Sequence, residues 1–254
     1  MSNEIKWLEP GERGGCDFEI DGSRRRVTGA LWLPHEPRAN APLMLMGHGA
    51  SGDRYQAPIP HLAQRFVDEA GIAVLAIDGP VHGLRSVAPG GRAAVAVEMR
   101  RPGFVDDMVA DWLDAFHAVT TEVGIGQGRL GYFGLSMGTF FGLPLLASRL
   151  EFSTAVIGLA GTTKAGKAIA QALLRSAGAV QHPVLFLMQL EDELFPRDGC
   201  LELFDALNSE DKRVHANPGL HPEVPAEEIG HSFDFLRAHL AGSVERRIVN
   251  PLAQ

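Results

Sequence analysis

Short blocks of unbroken apolar residues alternate along the chain with longer stretches in which apolar positions recur every three or four residues. The blocks fall at 43–46, 73–77, 130–133, 154–157, 184–188 and 213–216. Each has the length of a strand, and an unbroken apolar run suits a strand covered on both faces of a parallel sheet. The 43–46 block stops at Gly47, and the 73–77 block ends in Asp78-Gly79-Pro80. The N-terminal part differs: 18–20 and 27–33, joined through Asp21-Gly22, read as an antiparallel hairpin at the sheet edge.

The intervening stretches carry a helical period. In 61–70, Leu62, Phe66, Val67 and Ala70 share a face, and Gly71 stands where a left-handed C-cap belongs. In 105–123, Val105, Met108, Val109, Trp112, Phe116 and Val119 form one stripe. Helical patterns also occupy 136–150, 197–208 and 226–240. Strand and helix in regular alternation predict an α/β architecture, with a mostly parallel central sheet and helices on both faces. With no internal repeat and no divisive linker, residues 1–254 read as a single domain. Two segments, 86–103 and 161–181, fit the alternation poorly and are expected to form a small lid.

Composition narrows the function classes. The 254 residues carry 23 basic and 31 acidic side chains, a formal net charge of −8 that disfavours a nucleic-acid or anionic-membrane partner. The triplet Arg24-Arg25-Arg26 is too short to change that and reads as the exposed side of a strand. No apolar stretch approaches the ~20 residues of a membrane helix. Residues 1–10 hold Glu4, Lys6 and Glu9 without an apolar core, so a secretory signal is not expected. Cys16 and Cys200 stand too far apart in sequence to suggest a metal motif or a disulfide scaffold. A cytoplasmic protein with reduced thiols is the expectation.

The strongest chemical signal is Gly134-Leu135-Ser136-Met137-Gly138, between the 130–133 strand and a helical pattern. A serine in a tight strand-to-helix turn exposes its hydroxyl above the sheet, and the crowding demands small residues two positions to either side. The helix N-terminus behind it favours developing negative charge. Gly47-His48-Gly49-Ala50-Ser51-Gly52 follows an earlier strand. Acyl transfer needs two amide donors for an oxyanion, and Ala50 and Met137 are placed to supply them. His48 is expected to order its loop. A nucleophilic serine also needs a base and an acid that orients it. Glu191, Asp192 and Glu193 follow the 184–188 strand, and Asp192, four residues before Pro196, is preferred over its two neighbours. Of the histidines beyond Asp192, His215 lies in a strand and His231 and His239 in a helix, whereas His221 falls in a loop after the last strand.

The order Ser136, Asp192, His221 resembles that of the α/β-hydrolase superfamily. Within it the chain is similar to the dienelactone-hydrolase-related branch, through 48–52, Asp78-Gly79-Pro80-Val81-His82-Gly83, 134–138, 192–196 and 219–225. The resemblance implies an α/β-hydrolase fold over nearly the whole chain. It also implies a triad of Ser136, Asp192 and His221, with oxyanion amides from Ala50 and Met137. Dienelactone hydrolases carry a cysteine nucleophile; serine here points instead to a serine hydrolase of small carboxylic esters, with no cofactor and no metal in its chemistry. A thioesterase or peptidase would share the triad, and a non-catalytic binding protein could share the fold. The resemblance gives His82-Gly83 no catalytic part.

Overall fold

The computed structural model describes residues 4–11, 14–88, 90–242 and 244. The two ends of the expected 1–254 domain, the start of the 1–10 segment and position 89 of the 86–103 segment lie outside the described residues. The strands are β1 (Lys6–Pro10), β2 (Cys16–Asp21), β3 (Arg26–Trp32), β4 (Leu43–Gly47), β5 (Ala73–Ile77), β6 (Leu130–Leu135), β7 (Phe152–Gly158), β8 (Val184–Gln189) and β9 (Lys212–Asn217). The helices are α1 (Ile59–Ala70), α2 (Gly91–Glu98), α3 (Phe104–Glu122), α4 (Met137–Leu146), α5 (Ala170–Ala177), α6 (Arg197–Ala206) and α7 (Ala226–Ala241).

Among the described residues the nine strands join one sheet in the order β1-β2-β3-β5-β4-β6-β7-β8-β9. From β5 to β9 every neighbouring pair is parallel, while β1, β2 and β3 pair antiparallel at one side. The parallel strands alternate their side chains between two apolar layers. Leu43, Leu45, Leu75, Tyr132, Ile157 and Phe186 face α3, α4, α5 and α6. Met44, Met46, Val74, Phe133, Val156 and Leu187 face α1 and α7. Burial on both faces is why these strands read as unbroken apolar runs. Gly71 caps α1 as expected, at φ 64°, with amide bonds at 71 and 72 reaching back to Val67 and Phe66.

Three features, at β1, the arginine triplet and β9, depart from the sequence reading. The strand β1 lies outside the expected hairpin, so the hairpin is not itself the sheet edge. The arginine triplet straddles the β2–β3 turn: Arg26 opens β3, whereas Arg25 folds inward to Asp111 and Glu98. The strand β9 closes the opposite side, and its side chains are half-buried or exposed, so it is not covered on both faces. The segment 161–181 supplies α5, whose Leu173 and Ala177 enter the core, with Ile169 and Val180 at its flanks. In the 86–103 segment, α2 is fastened by Glu98, which accepts from Arg25 and Arg101. Among the described residues no helix is long and apolar enough to cross a membrane.

Candidate active site

The β6–α4 junction fixes the serine first. Ser136 sits at φ 58°, ψ −117°, a conformation that L side chains avoid and that costs on the order of 1–3 kcal/mol. Its amide donates to Gly158 O at 2.9 Å. Thr139, one turn on, accepts the Gly158 amide and has the Gly158 and Gly134 carbonyls within 2.8 Å of its hydroxyl. The flanking glycines answer to close approach. A Cβ on Gly138 would stand 2.5 Å from Gly47 O, and one on Gly134 would stand 2.7 Å from the Tyr132 hydroxyl. That hydroxyl donates to Gly138 O at 2.7 Å, which ties the turn to the strand beneath it.

The loops after β8 and β9 bring the other two groups to this turn. His221 Nε2 lies 3.0 Å from Ser136 Oγ, and its Nδ1 lies 2.8 Å from Asp192 Oδ2. The second carboxylate oxygen, Oδ1, accepts the amides of Leu194 and Phe195 at 2.8 and 2.9 Å. Burial works against the Asp192 charge, but the His221 imidazole and those two amides outweigh it and hold the carboxyl below its usual value. Phe195 packs on the imidazole at 5.3 Å between ring centres and covers it from one side.

Both neighbours of Asp192 hold the histidine loop instead of the imidazole. Glu191 Oε2 accepts the Gly219 amide at 2.6 Å, and Glu193 Oε2 accepts the His221 amide at 3.0 Å. Glu223 accepts the Leu220 amide at 2.6 Å, and Gln189 Nε2 donates to Glu223 O at 2.6 Å. In the sequence Glu191 and Glu193 read only as rivals of Asp192, and this role is invisible there because the carboxylates and their amide partners lie 28 residues apart in the chain.

The loop after β4 carries Ala50, and α4 begins at Met137. Among the described residues neither amide has an internal acceptor, so both remain available to a ligand oxygen. His48 is buried, which pushes its pKa down to about 4. Its neutral ring links two loops: Nδ1 donates to Gly49 O and Nε2 accepts the Gly79 amide, each at 2.7 Å. His82 turns both ring nitrogens to carbonyls, Pro80 O at 2.7 Å and Ala50 O at 3.1 Å. Beneath this loop, buried Asp78 accepts from Arg54 Nη1 at 2.9 Å and from Thr28 Oγ1 at 2.6 Å. Of the other late histidines, His215 and His231 face Glu228, and His239 bonds to Phe235 O within α7.

The chain is similar over 92% of its length to a cold-adapted esterase from an Arctic intertidal metagenomic library, at 33% identity and a TM-score of 0.80, with 99% of that chain covered. It is also similar to an acetyl xylan esterase from Paenibacillus sp. R4, at 16% identity and a TM-score of 0.71, with 93% of this chain and 88% of that chain covered. A puromycin hydrolase is similar at 18% identity and a TM-score of 0.68, over 96% of this chain and 40% of that one. The last two likenesses concern the fold alone. No family model matches the chain, and no curated protein matches it.

Proposed function

The chain belongs to the α/β-hydrolase superfamily, and from that membership we propose that it is a serine hydrolase cleaving a small carboxylic ester through an acyl-enzyme. One observation carries the reading. A strained, half-buried serine in the strand-to-helix turn, an imidazole and a buried carboxylate lie in series at 3.0 and 2.8 Å. That is the reach a general base needs to take a proton from its nucleophile. The 33% identical relative is an esterase, which favours an oxygen ester over a thioester or a peptide bond.

Ser136 Oγ attacks the ester carbonyl carbon while its proton passes to His221 Nε2. Asp192 keeps Nδ1–H directed inward and stabilises the imidazolium. The carbonyl oxygen becomes an oxyanion facing the Ala50 and Met137 amides. Each such donor contributes roughly 2.7–4 kcal/mol to the transition state. The tetrahedral species expels the alkoxide, which leaves as the alcohol with the proton from His221. Water then attacks the acyl-serine by the same route, releasing the acid and restoring Ser136. Ala50 O is tied to His82, so the donor loop is held in place before substrate arrives.

A series of chromogenic esters of increasing acyl length, with matched thioesters and amides, tests the proposal. Turnover of short esters, faster than of the matched amides and absent in Ser136→Ala, is the expected result. Saturable binding of these compounds with no turnover of any would contradict it and indicate a binding protein on the hydrolase fold.

A further inference from the structure

Away from the serine, β9 and α7 bring together three side chains that the hydrolase chemistry does not use. We infer that His215, Glu228 and His231 form a binding site for one divalent cation of the zinc class. One donor atom from each residue lies within 4.8 Å of the other two, among the described residues. Glu228 Oε1 is 2.7 Å from His215 Nδ1, and Oε2 is 4.0 Å from His231 Nδ1. Zinc bonds imidazole nitrogen and carboxylate oxygen at about 2.0–2.2 Å, so a tetrahedral ion spaces its donors by roughly 3.3 Å. The observed spacings bracket that value, and small rotations of two solvent-accessible imidazoles close the difference.

The elements supply the pattern. Glu228 and His231 are three residues apart, so they stack on one face of α7. His215 projects from β9 opposite them, and the two imidazoles meet edge to face at 6.1 Å between ring centres. Glu228 is the anchor, with 4% of its surface exposed. Its carboxylate also receives Asn217 Nδ2 at 3.5 Å, and its carbonyl accepts from the Ser232 hydroxyl. Among the described residues its ionic partners are the two histidines, with no lysine or arginine. A buried carboxylate calls for a compensating charge. Two imidazoles and one carboxylate select zinc or a neighbouring transition ion, whereas magnesium and calcium take all-oxygen sets. His231 is exposed, so the remaining ligand of a four-coordinate ion is water.

The placement gives the ion a structural task. The ligands His215 and Glu228 bracket the 216–227 segment, and His221 lies in its middle. An ion between β9 and α7 ties the two ends of that loop at its base.

Chelator-treated, tag-free protein titrated with zinc in a competition assay against a chromophoric chelator tests the inference without any substrate, so its failure is separable from failure of the ester-hydrolysis reading. The expected result is one tight equivalent, a melting temperature that rises with zinc but not with magnesium, and a tetrahedral visible spectrum with cobalt. His231→Ala and His215→Ala, at accessible positions, should each weaken zinc binding at least about tenfold while the metal-free protein keeps its circular dichroism; Glu228→Gln should do the same. If Glu228→Gln does not fold, the two histidine variants decide. No saturable zinc binding, or binding of unchanged affinity in the histidine variants, which marks an adventitious ion only, would overturn the site.

Discussion

At the scale of single residues, the loops after β8 and β9 define the candidate site by which of their atoms face each other. Asp192 alone of the three clustered carboxylates meets the imidazole, while Glu191 and Glu193 accept backbone amides. Asp192→Asn should therefore keep the fold and lower kcat by about 10⁴-fold, because the asparagine amide cannot hold the required tautomer. Glu191→Gln and Glu193→Gln keep an acceptor oxygen and should cost less than about tenfold. Glu193→Ala removes the His221 amide's acceptor and should cost more than Glu193→Gln. Steady-state kinetics on one ester order these four variants. A stability effect accompanies the first. Asp192 is held below its usual carboxyl value, so its contribution is fully present above the unfolded value of about 3.9 and is lost as pH falls through the lower native value. Acid unfolding followed by circular dichroism should be less steep below about pH 4 in Asp192→Asn than in the parent. The placement of Asp192 opposite the His221 imidazole was legible because a D-x-x-apolar-Pro turn after a strand presents one carboxylate to the sheet's end. The amide contacts of its neighbours were not legible, since nothing local pairs residue 193 with residue 221.

At the scale of elements, the β6–α4 turn is set by crowding against β4. A methyl group at residue 138 would meet Gly47 O at 2.5 Å, and Gly47 leads directly into the loop of His48 and Ala50. Backbone has to move to admit it. Gly138→Ala should lose about 1–3 kcal/mol of stability, roughly 2–10 °C in Tm, and should lower kcat more than it changes KM. Calorimetry and kinetics on the purified variant check both parts. The inner strands were legible because they are apolar on both faces, and α1 because Gly71 marks its end. The strand β1 was not, since Lys6-Trp7-Leu8-Glu9-Pro10 mixes charge and proline and pairs with β2 through an irregular register. The exposure of β9 was there to be read in the alternation itself: Arg213 and His215 interrupt the 213–216 run, as in a strand covered on one face, and among the described residues β9 stands at the edge of the sheet.

At the scale of the whole molecule, a buried ionic group beneath the candidate oxyanion loop braces the antiparallel strands against the parallel part of the sheet, beside the β3–β5 ladder. Arg54 pairs with Asp17 of β2 at 2.6 Å and with Asp78 beyond β5 at 2.9 Å, and Asp78 also binds Thr28 of β3. Removing the cation leaves a fully buried carboxylate uncompensated. Arg54→Ala should cost on the order of 3–5 kcal/mol in denaturant unfolding, well above the loss for an exposed arginine such as Arg38→Ala. The Asp-Gly-Pro-x-His-Gly string was visible in the sequence, but the arginine 24 positions earlier that completes it was not. The hydrolase reading rests in the end on a single covalent event at Ser136. A fluorophosphonate probe applied to the folded protein, followed by intact-mass and peptide-mass mapping, measures it most directly. One adduct, on Ser136, lost in Ser136→Ala and slowed by orders of magnitude in His221→Ala, is the predicted result. No adduct on active, folded protein, or an adduct on another serine with Ser136→Ala still fully active on esters, would contradict it.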